Sequence, residues 1–236
     1  MSEASATAGG ERVLEGRGLV KSYASGTETI RVLRGAEVAL GRGEILAIVG
    51  PSGIGKSTLL HILGALDRPD GGQVLVEGVD VFALGERRIA ALRNSRFGFV
   101  FQFHHLLPEM SALENVMMPC LIAGVDGAES ARRAEAVLEE VGLVGRLNHR
   151  PRELSGGEQQ RVAVARALVM KPAVVLADEP SGNLDPESSV ALNDLIWTLR
   201  ERHGQSFVVV THNMDLAARA DRALKLFDGV LEAIKI

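Results

Sequence analysis

The residues whose types and spacing best suit catalysis begin in a glycine-rich stretch, GPSGIGKST, at Gly50–Thr58. Glycines let backbone N–H groups converge on phosphates, and a helix that follows directs its positive end at the same anion. Lys56 would place a charge on the outer phosphates of a nucleotide, and the Ser57 hydroxyl would bind Mg²⁺. A chance match in a glycine-rich chain is the alternative. An apolar run before the stretch and a helical pattern after it favour the phosphate site.

A second chemical feature is an acidic pair, Asp178 and Glu179, that closes the apolar run VVLA. A carboxylate at the end of a buried strand is costly unless it holds a cation. Asp178 can hold Mg²⁺, directly or through water, and Glu179 can take a proton from an attacking water molecule. The pair could instead cap the next turn, but its combination with a phosphate loop favours hydrolysis.

A third feature is the sequence LSGGEQQR at Leu154–Arg161. Ser155 followed three residues later by Glu158 is a capping box, which predicts a helix from Gln159 to Met170. A glycine-flanked helix start is also an anion site, here one offered to a terminal phosphate. A five-residue match is weak on its own, so this interpretation depends on the other two features.

The elements that must position these residues alternate between short apolar runs and helical patterns. Strands are predicted at Gly43–Gly50, Ala173–Ala177 and Phe207–Val210, and helices at Lys56–Leu66 and Glu187–His203. Continuous β-branched runs are typical of strands that are covered on both faces. The pattern therefore predicts an α/β protein with a parallel sheet flanked by helices.

Two stretches depart from this alternation. Residues of about 11–45 alternate in hydrophobicity with no helix between them, which predicts an antiparallel layer. Residues of about 103–165 carry helical patterns without a strand. The predicted parts are a flexible tail (1–10) and one domain (11–236), itself divided into a core (about 11–102 and 166–236) and an inserted helical subdomain (about 103–165).

Composition disfavours several classes of protein. The chain has 236 residues, of which 46% are apolar and only 4% aromatic, enough for a large aliphatic core. A formal charge of −4 gives no bias toward nucleic acid or anionic lipid, and a single cysteine, Cys120, excludes an intrachain disulfide. The first residues lack the pattern of a secretory signal, and the longest apolar stretch, Val116–Val125, is too short to span a bilayer.

Together these motifs resemble those of ATP-binding cassette (ABC) ATPases, in family order and from about Val13 to Phe227. The resemblance implies a P-loop NTPase fold with a RecA-like parallel-sheet core, an N-terminal antiparallel layer and an inserted helical subdomain. It also implies hydrolysis of ATP with Mg²⁺ as cofactor. Ile54 stands where the family usually has a small residue, and Ser181 where threonine is more usual; we expect both changes to be mild.

The resemblance also assigns roles. It implies that Tyr23 stacks on adenine, that Gln102 senses Mg²⁺ and a membrane partner, and that His212 contacts the terminal phosphate. Each could instead be a structural or surface residue. The residues implied for catalysis are Glu179, His212 and Gln102, and those implied for Mg²⁺ are Ser57, Gln102 and Asp178. The residues implied for ATP binding are Tyr23, Gly50, Pro51, Ser52, Gly53, Ile54, Gly55, Lys56, Ser57 and Thr58. The signature implied to face the ATP of the other subunit is Leu154, Ser155, Gly156, Gly157 and Glu158, and the implied dimer loop is Gly182, Asn183, Leu184 and Asp185.

Within the family, the string QFHHLLP at Gln102–Pro108, followed by ALENV, resembles the ATPases of lipoprotein-releasing systems. That resemblance implies a homodimer at the cytoplasmic face of the inner membrane. The dimer would drive two integral membrane subunits of the LolC/LolE kind without touching the lipoprotein itself. ATPases of MacB-type efflux and FtsE-type cell-division complexes remain alternatives. A soluble ABC ATPase that acts on nucleic acid or ribosomes is disfavoured by the single cassette and by the lack of basic charge.

The segment Phe103–Pro119 is the predicted contact with the membrane subunits, because it is unusually apolar for a loop and directly follows Gln102, to which the resemblance assigns the sensing role. Its apolar residues could instead fill the core of the helical subdomain, and we expect this of Leu113 and Val116. The pair His104 and His105 could be exposed loop residues without a role. The residues assigned to a groove for a partner helix are Phe103, Leu106 and Leu107.

Overall fold

The protein is described by a computed structural model that covers residues 11–26 and 28–235. The predicted flexible tail, 1–10, lies outside the described residues. The strands are β1 (Arg12–Ser25), β2 (Glu28–Gly41), β3 (Ile45–Val49), β4 (Gly71–Val76), β5 (Val79–Asp80), β6 (Phe97–Val100), β7 (Val174–Asp178), β8 (Ser206–Thr211), β9 (Arg222–Phe227) and β10 (Val230–Ile234). The α-helices are α1 (Lys56–Leu63), α2 (Glu86–Arg96), α3 (Ala112–Ile122), α4 (Gly127–Glu140), α5 (Gly156–Leu168), α6 (Pro186–His203) and α7 (Met214–Ala218).

Two sheets form the frame of the molecule. The first is antiparallel, with strand order β2-β1-β4-β5, and the second has the order β10-β9-β3-β8-β7-β6. In the second sheet, β9, β3, β8, β7 and β6 pair in parallel, and β10 adds an antiparallel edge. The predicted α/β class, with a parallel sheet and an N-terminal antiparallel layer, is therefore confirmed.

The central strands are buried on both faces and supply two cores. Successive side chains of a strand point to opposite faces. In β7, Leu176 packs into a core between the two sheets, whereas its neighbour Val175 packs into a core formed with the helices on the other face. Helix α1 lies in the first core, where Leu59 and Leu60 are fully buried. This double burial explains why the strands have continuous apolar sequences.

Helix α1 and helix α5 differ most from their predicted bounds. Helix α1 ends at Leu63 rather than at Leu66, because Gly64 follows it and Ala65 has a positive φ of 55°. A side chain at Gly64 would overlap the ring of Phe99, so the glycine also allows α1 to approach β6 closely. Helix α5 begins earlier than predicted, directly after its cap Ser155.

Helices α3, α4 and α5 follow β6 and precede β7 in the chain, and they pack against one another. Val116 of α3 is fully buried in their shared core, and Leu113 packs against it, as the sequence predicts. Leu106 packs against the same core. Its predicted role as a groove residue stays a prediction, because the helical core buries this side chain only in part. Helix α5 runs continuously across the predicted subdomain boundary near residue 165, and that boundary stays a prediction.

Candidate active site

A cleft of about 620 Å³ lies where β3, β6, β7 and β8 end. In open α/β sheets, ligands bind at this edge, outside the carboxyl ends of the strands. Residues from distant parts of the chain line it: Tyr23, Val32, Ser52, Gly53, Gly55, Lys56, Ser57, Thr58, Gln102, Asp178, Glu179 and His212. The structure therefore brings together the phosphate loop, the acidic pair and three residues that the family resemblance singles out, Tyr23, Gln102 and His212.

The phosphate loop joins β3 to α1 and encloses its lysine. The Lys56 side chain is inside the loop, where Nζ donates hydrogen bonds to the carbonyl oxygens of Gly50 at 2.8 Å and Pro51 at 3.0 Å. Gly55 has a φ of 108°, in the left-handed region that favours glycine, and a side chain there would overlap Val32. Three predicted ATP-binding residues do not line the cleft. Gly50 and Pro51 supply these carbonyls, and Ile54 packs against the core between the sheets.

The Glu179 carboxylate is held from two sides at the end of β7. Thr211 Oγ1 donates to Glu179 Oε2 at 3.2 Å, and His212 Nδ1 lies 2.8 Å from Glu179 Oε1. The Glu179 side chain is 14% exposed, whereas that of His212 is 70% exposed. Glu179 also has a φ of +45°, a conformation that costs free energy for a residue with a side chain and clusters at functional sites. The strained backbone presents the carboxylate to the cleft.

A magnesium ion would find oxygen donors in the same cleft. Ser57 offers a hydroxyl, Gln102 an amide oxygen and Asp178 a carboxylate. Mg²⁺ usually keeps several waters and takes one or two carboxylates together with substrate phosphates. Within the described residues, no group of three His, Cys, Asp or Glu side chains could hold a metal by itself. The donor set therefore fits a Mg²⁺ ion that arrives with nucleotide phosphates.

Tyr23 lines the cleft, and contacts with Asp67 and Lys21 orient its side chain. Its hydroxyl donates to Asp67 Oδ2 at 2.7 Å, and Lys21 Nζ donates to Asp67 Oδ1 at 2.7 Å. Although burial opposes the shift, these two bonds lower the pKa of Asp67. The ammonium group of Lys21 also lies 5.1 Å from the centre of the Tyr23 ring. The ring is thus oriented while it stays 41% exposed, as a platform for a planar base requires.

The signature residues, Leu154 to Glu158, lie outside this cleft. Ser155 caps α5: its Oγ accepts a bond from Glu158 N at 3.2 Å, and its own N–H donates to Glu158 Oε2 at 2.8 Å. The Arg146 guanidinium, followed by the Ser155 backbone, lowers the pKa of Glu158 to about 2. Ser155 and Gly156 are exposed at the helix start. The predicted capping box is confirmed, and the helix start that it forms does not line the cleft that contains the phosphate loop of the same chain.

The loop Gly182–Asp185 joins the cleft to α5 and α6. A side chain at Gly182 would lie 3.3 Å from Gln102 Nε2, so the glycine allows a close approach to the glutamine in the cleft. Leu184 packs against the helical core and lies near Gly156. Asp185 caps α6, its Oδ1 accepting a bond from Ser188 N at 2.9 Å. The loop thus contacts both the cleft residue and the signature helix.

A comparison with protein families decides the classification. The model of the ABC transporter family matches residues 33–182. The chain belongs to the ABC transporter family. This ABC ATPase is 54% identical over 217 residues to the lipoprotein-releasing system ATP-binding protein LolD of Geobacter metallireducens, covering 92% of this chain and 96% of the relative. The LolD proteins of Shewanella sp. strain MR-4 and Bacteroides thetaiotaomicron are 53% and 52% identical, covering 94% and 91% of this chain and 96% and 97% of theirs.

Solved structures of ABC cassettes have the same fold as this ABC ATPase. The dimeric bacterial ABC transporter cassette MJ0796 is 38% identical, with a TM-score of 0.85 over 93% of this chain and 96% of that chain. A dimeric post-hydrolysis state of the same cassette, bound to ADP and phosphate, matches with equal TM-score and identity. These similarities agree with an ATPase of the P-loop NTPase fold.

The sequence did not reveal two residues of this ABC ATPase that shape its site. Val32 is the extra residue of a β-bulge, since Lys21 pairs with Leu33 while Ser22 pairs with Arg31. The bulge turns Val32 into the cleft, and no local signal marks it. Asp67 follows α1 and meets Tyr23 only because β1 packs beside that helix.

The ABC ATPase has a second, more apolar cleft of about 400 Å³ between α2, β6, α3 and α5. Among the residues that line it are Leu66, Phe99, Phe101, Pro119, Ile122 and Arg166. Of the predicted contact segment Phe103–Pro119, only Pro119 lines this cleft. Phe103, two positions after the cleft residue Phe101 in the chain, is 66% exposed. Along the part of the chain that the structure describes, no helix is both long and apolar enough to cross a bilayer.

Proposed function

We propose that two copies of this ABC ATPase share each ATP, one supplying the phosphate loop and the other the signature helix. The observation that carries the proposal is the separation of these features. Lys56, Glu179 and His212 meet in one cleft, whereas Ser155 and Gly156 are exposed on a capped helix start that does not line it. A two-fold axis would place each helix start against the partner's cleft. The dimeric state of the similar cassette MJ0796 supports this arrangement.

In this proposal the residues of the cleft divide the work of hydrolysis. Lys56 and the backbone of the phosphate loop bind the phosphates, and Tyr23 carries the adenine. Glu179, which Thr211 and His212 orient, takes a proton from the attacking water at its carboxylate. Ser57, Gln102 and Asp178 would hold Mg²⁺, which neutralises charge on the phosphates when it is bound. The positive end of α5 from the partner completes the phosphate site.

A mixed dimer tests the shared site. Lys56→Ala removes the phosphate charge from a chain's own cleft, and Ser155→Arg blocks the helix start that the chain presents to its partner. In a dimer of one chain of each kind, one site carries both defects and the other carries neither. Mixing the two inactive variants should therefore restore ATPase activity, provided that one intact site suffices. Mixed dimers that form but stay inactive would count against shared sites.

We further propose that the hydrolysis powers lipoprotein release by two integral membrane subunits, with this chain peripheral at the cytoplasmic face of the inner membrane. The support is the similarity to LolD proteins, which are named as the ATP-binding proteins of a lipoprotein-releasing system, over more than nine-tenths of the chain. The segment Phe103–Pro119 and the apolar cleft beside it are the proposed contact. An exposed apolar surface of this kind suits an amphipathic helix of a partner.

Reconstituted vesicles test this second proposal. Phe103→Glu and Leu107→Glu add charge to exposed residues and should abolish assembly with LolC/LolE-type subunits and lipoprotein release, with ATP binding by the isolated chain unchanged. Val144→Glu is the matched control, because Val144 is also exposed and apolar but lies outside the segment. Leu106 is unsuitable, since a charge there would disturb the helical core. Normal assembly and release by both variants would place the contact elsewhere.

A further inference from the structure

Helix α5 holds the chain segment that surrounds the cleft glutamine. Gln160 Nε2 donates to the carbonyl oxygen of Phe101 at 3.0 Å, and Arg166 donates to those of His104 and His105, both at 2.8 Å. Gln102 lies between these anchoring points and lines the ATP cleft. The backbone around Gln102 is therefore fixed to the same helix whose first residues form the signature.

His104 makes the return contact from this segment to the signature. Its Nε2 lies 3.1 Å from the carbonyl oxygen of Gly156. Because a carbonyl oxygen only accepts, Nε2 must carry the proton and donate it. Gly156 is the first residue of α5 and is exposed directly beside Ser155. The imidazole of His104, two positions after Gln102, is thus bonded to the helix start that faces the partner subunit in the proposed dimer.

The three bonds from Gln160 and Arg166 already hold the segment on α5. They bind backbone carbonyl groups of Phe101, His104 and His105, and none of these bonds uses the His104 side chain. His104 differs from them in what it contacts: it touches the first turn of α5, whereas Arg166 lies in its last turn. A hydrogen bond at that place restrains the anion-binding end of the helix rather than the packing of the helix on the sheet.

We propose that His104 is a positioning residue that connects the Gln102 loop to the signature helix of the same subunit. Through it, ATP contacts at one cleft would order the helix start that the subunit presents to the ATP of its partner. The inference rests on the proposed shared site. Its consequence is specific: loss of the bond weakens ATP-driven dimerisation and leaves binding of ATP to the single chain intact.

A pair of substitutions in the Glu179→Gln chain tests this proposal, because slow hydrolysis keeps ATP bound during the measurement. His104→Gln places an amide nitrogen at about the reach of Nε2 and can still donate to Gly156. His104→Asn places its nitrogen too close to the backbone to reach. His203→Asn is the matched control, since His203 lies at the end of α6 and pairs with Glu140 at 3.1 Å.

Sedimentation measures the dimerisation constant with ATP, and titration with a fluorescent ATP analogue at low protein concentration measures binding to the single chain. We expect His104→Asn to weaken dimerisation roughly fivefold or more, as loss of one hydrogen bond allows. Binding to the single chain should stay within about twofold. His104→Gln and His203→Asn should dimerise like the parent.

Any of the following outcomes would overturn the proposal. If His104→Asn dimerises like the parent, the bond to Gly156 does not position the signature. If His104→Asn and His104→Gln are equally weak, or if both lose binding to the single chain, the imidazole acts on the local fold instead. If the parent binds ATP but does not dimerise with it, the proposed shared site is wrong, and the role proposed for His104 is wrong with it. This outcome is seen in the parent protein, without any change at His104.

Discussion

Gln102 and Asn183 hold each other through two hydrogen bonds. Gln102 Nε2 donates to Asn183 Oδ1 at 2.9 Å, and Asn183 Nδ2 donates back to the backbone carbonyl of Gln102 at 3.2 Å. The two residues are 81 positions apart in the chain, one after β6 and one in the loop before α6. The pair fixes the amide of Gln102 so that its oxygen stays available in the cleft, and it ties that amide to the proposed dimer loop.

The first prediction concerns this pair. Asn183→Ala removes both bonds and should lower kcat about five- to thirtyfold, because each bond contributes about 1 kcal/mol and Gln102 loses its fixed orientation. The affinity for ATP should change little. Asn183→Asp keeps an acceptor for Gln102 Nε2 but cannot donate to the carbonyl, so its kcat should lie between those of wild type and Asn183→Ala. Steady-state kinetics of the three proteins would show this order, and an equal kcat for all of them would contradict it.

The second prediction concerns the base. Glu179→Gln should keep ATP binding and slow hydrolysis roughly 10²- to 10⁴-fold, the usual contribution of a general base. Lys56→Ala should instead weaken nucleotide binding, because its ammonium group faces the phosphates. Glu187→Gln is the matched control: Glu187 is an exposed glutamate in the first turn of α6 and does not line the cleft. A Glu179→Gln enzyme that turns over like wild type would remove this residue from the mechanism.

The third prediction concerns the adenine platform. Tyr23→Ala should raise the Kd for ATP about tenfold, since stacking of a base on an aromatic ring contributes about 1–3 kcal/mol. Tyr23→Phe keeps the ring but loses the bond to Asp67, and Asp67→Asn weakens that bond and the ion pair with Lys21. Both should raise Kd only about two- to fivefold. Calorimetric titration gives the three values; an unchanged Kd for Tyr23→Ala would exclude stacking.

The fourth prediction is a pH dependence at the signature helix. The folded chain lowers the pKa of Glu158 from 4.5 to about 2, so ionised Glu158 stabilises the fold fully above about pH 4.5, and this contribution is lost as the pH falls toward 2. Glu158→Gln keeps a capping box but loses the charge facing Arg146 at 2.8 Å. The variant should be less stable than wild type at neutral pH, by about 1 kcal/mol.

Urea unfolding of both proteins at pH 7 and at about pH 3.5 measures the difference, which should shrink at the lower pH. Arg146→Gln should behave like Glu158→Gln, and the double variant should be little worse than either, because the two residues share one interaction. A difference that is constant with pH, or additive losses in the double variant, would show that the ionised pair is not the cause.

Local chemistry in the sequence determined most of the fold and of the candidate site. GPSGIGKS requires a strand before it and a helix after it, because phosphate binding needs backbone N–H groups at a helix start. The continuous apolar runs before Asp178 and before Thr211 require strands covered on both faces. Ser155 and Glu158 start a helix by bonds between near neighbours. Each of these results depends on residues within a few positions of one another, which a sequence displays directly.

Only the tertiary structure decided which distant residues meet. Val32 enters the cleft through a β-bulge, and Asp67 fixes Tyr23 across two elements. His104 reaches Gly156, 52 positions away, and Leu106 packs against the helical core. Sequence periodicity specifies the face of an element on which a residue lies. It does not specify the packing of elements against one another, because that depends on the complementary shapes of all the side chains that fill the two cores.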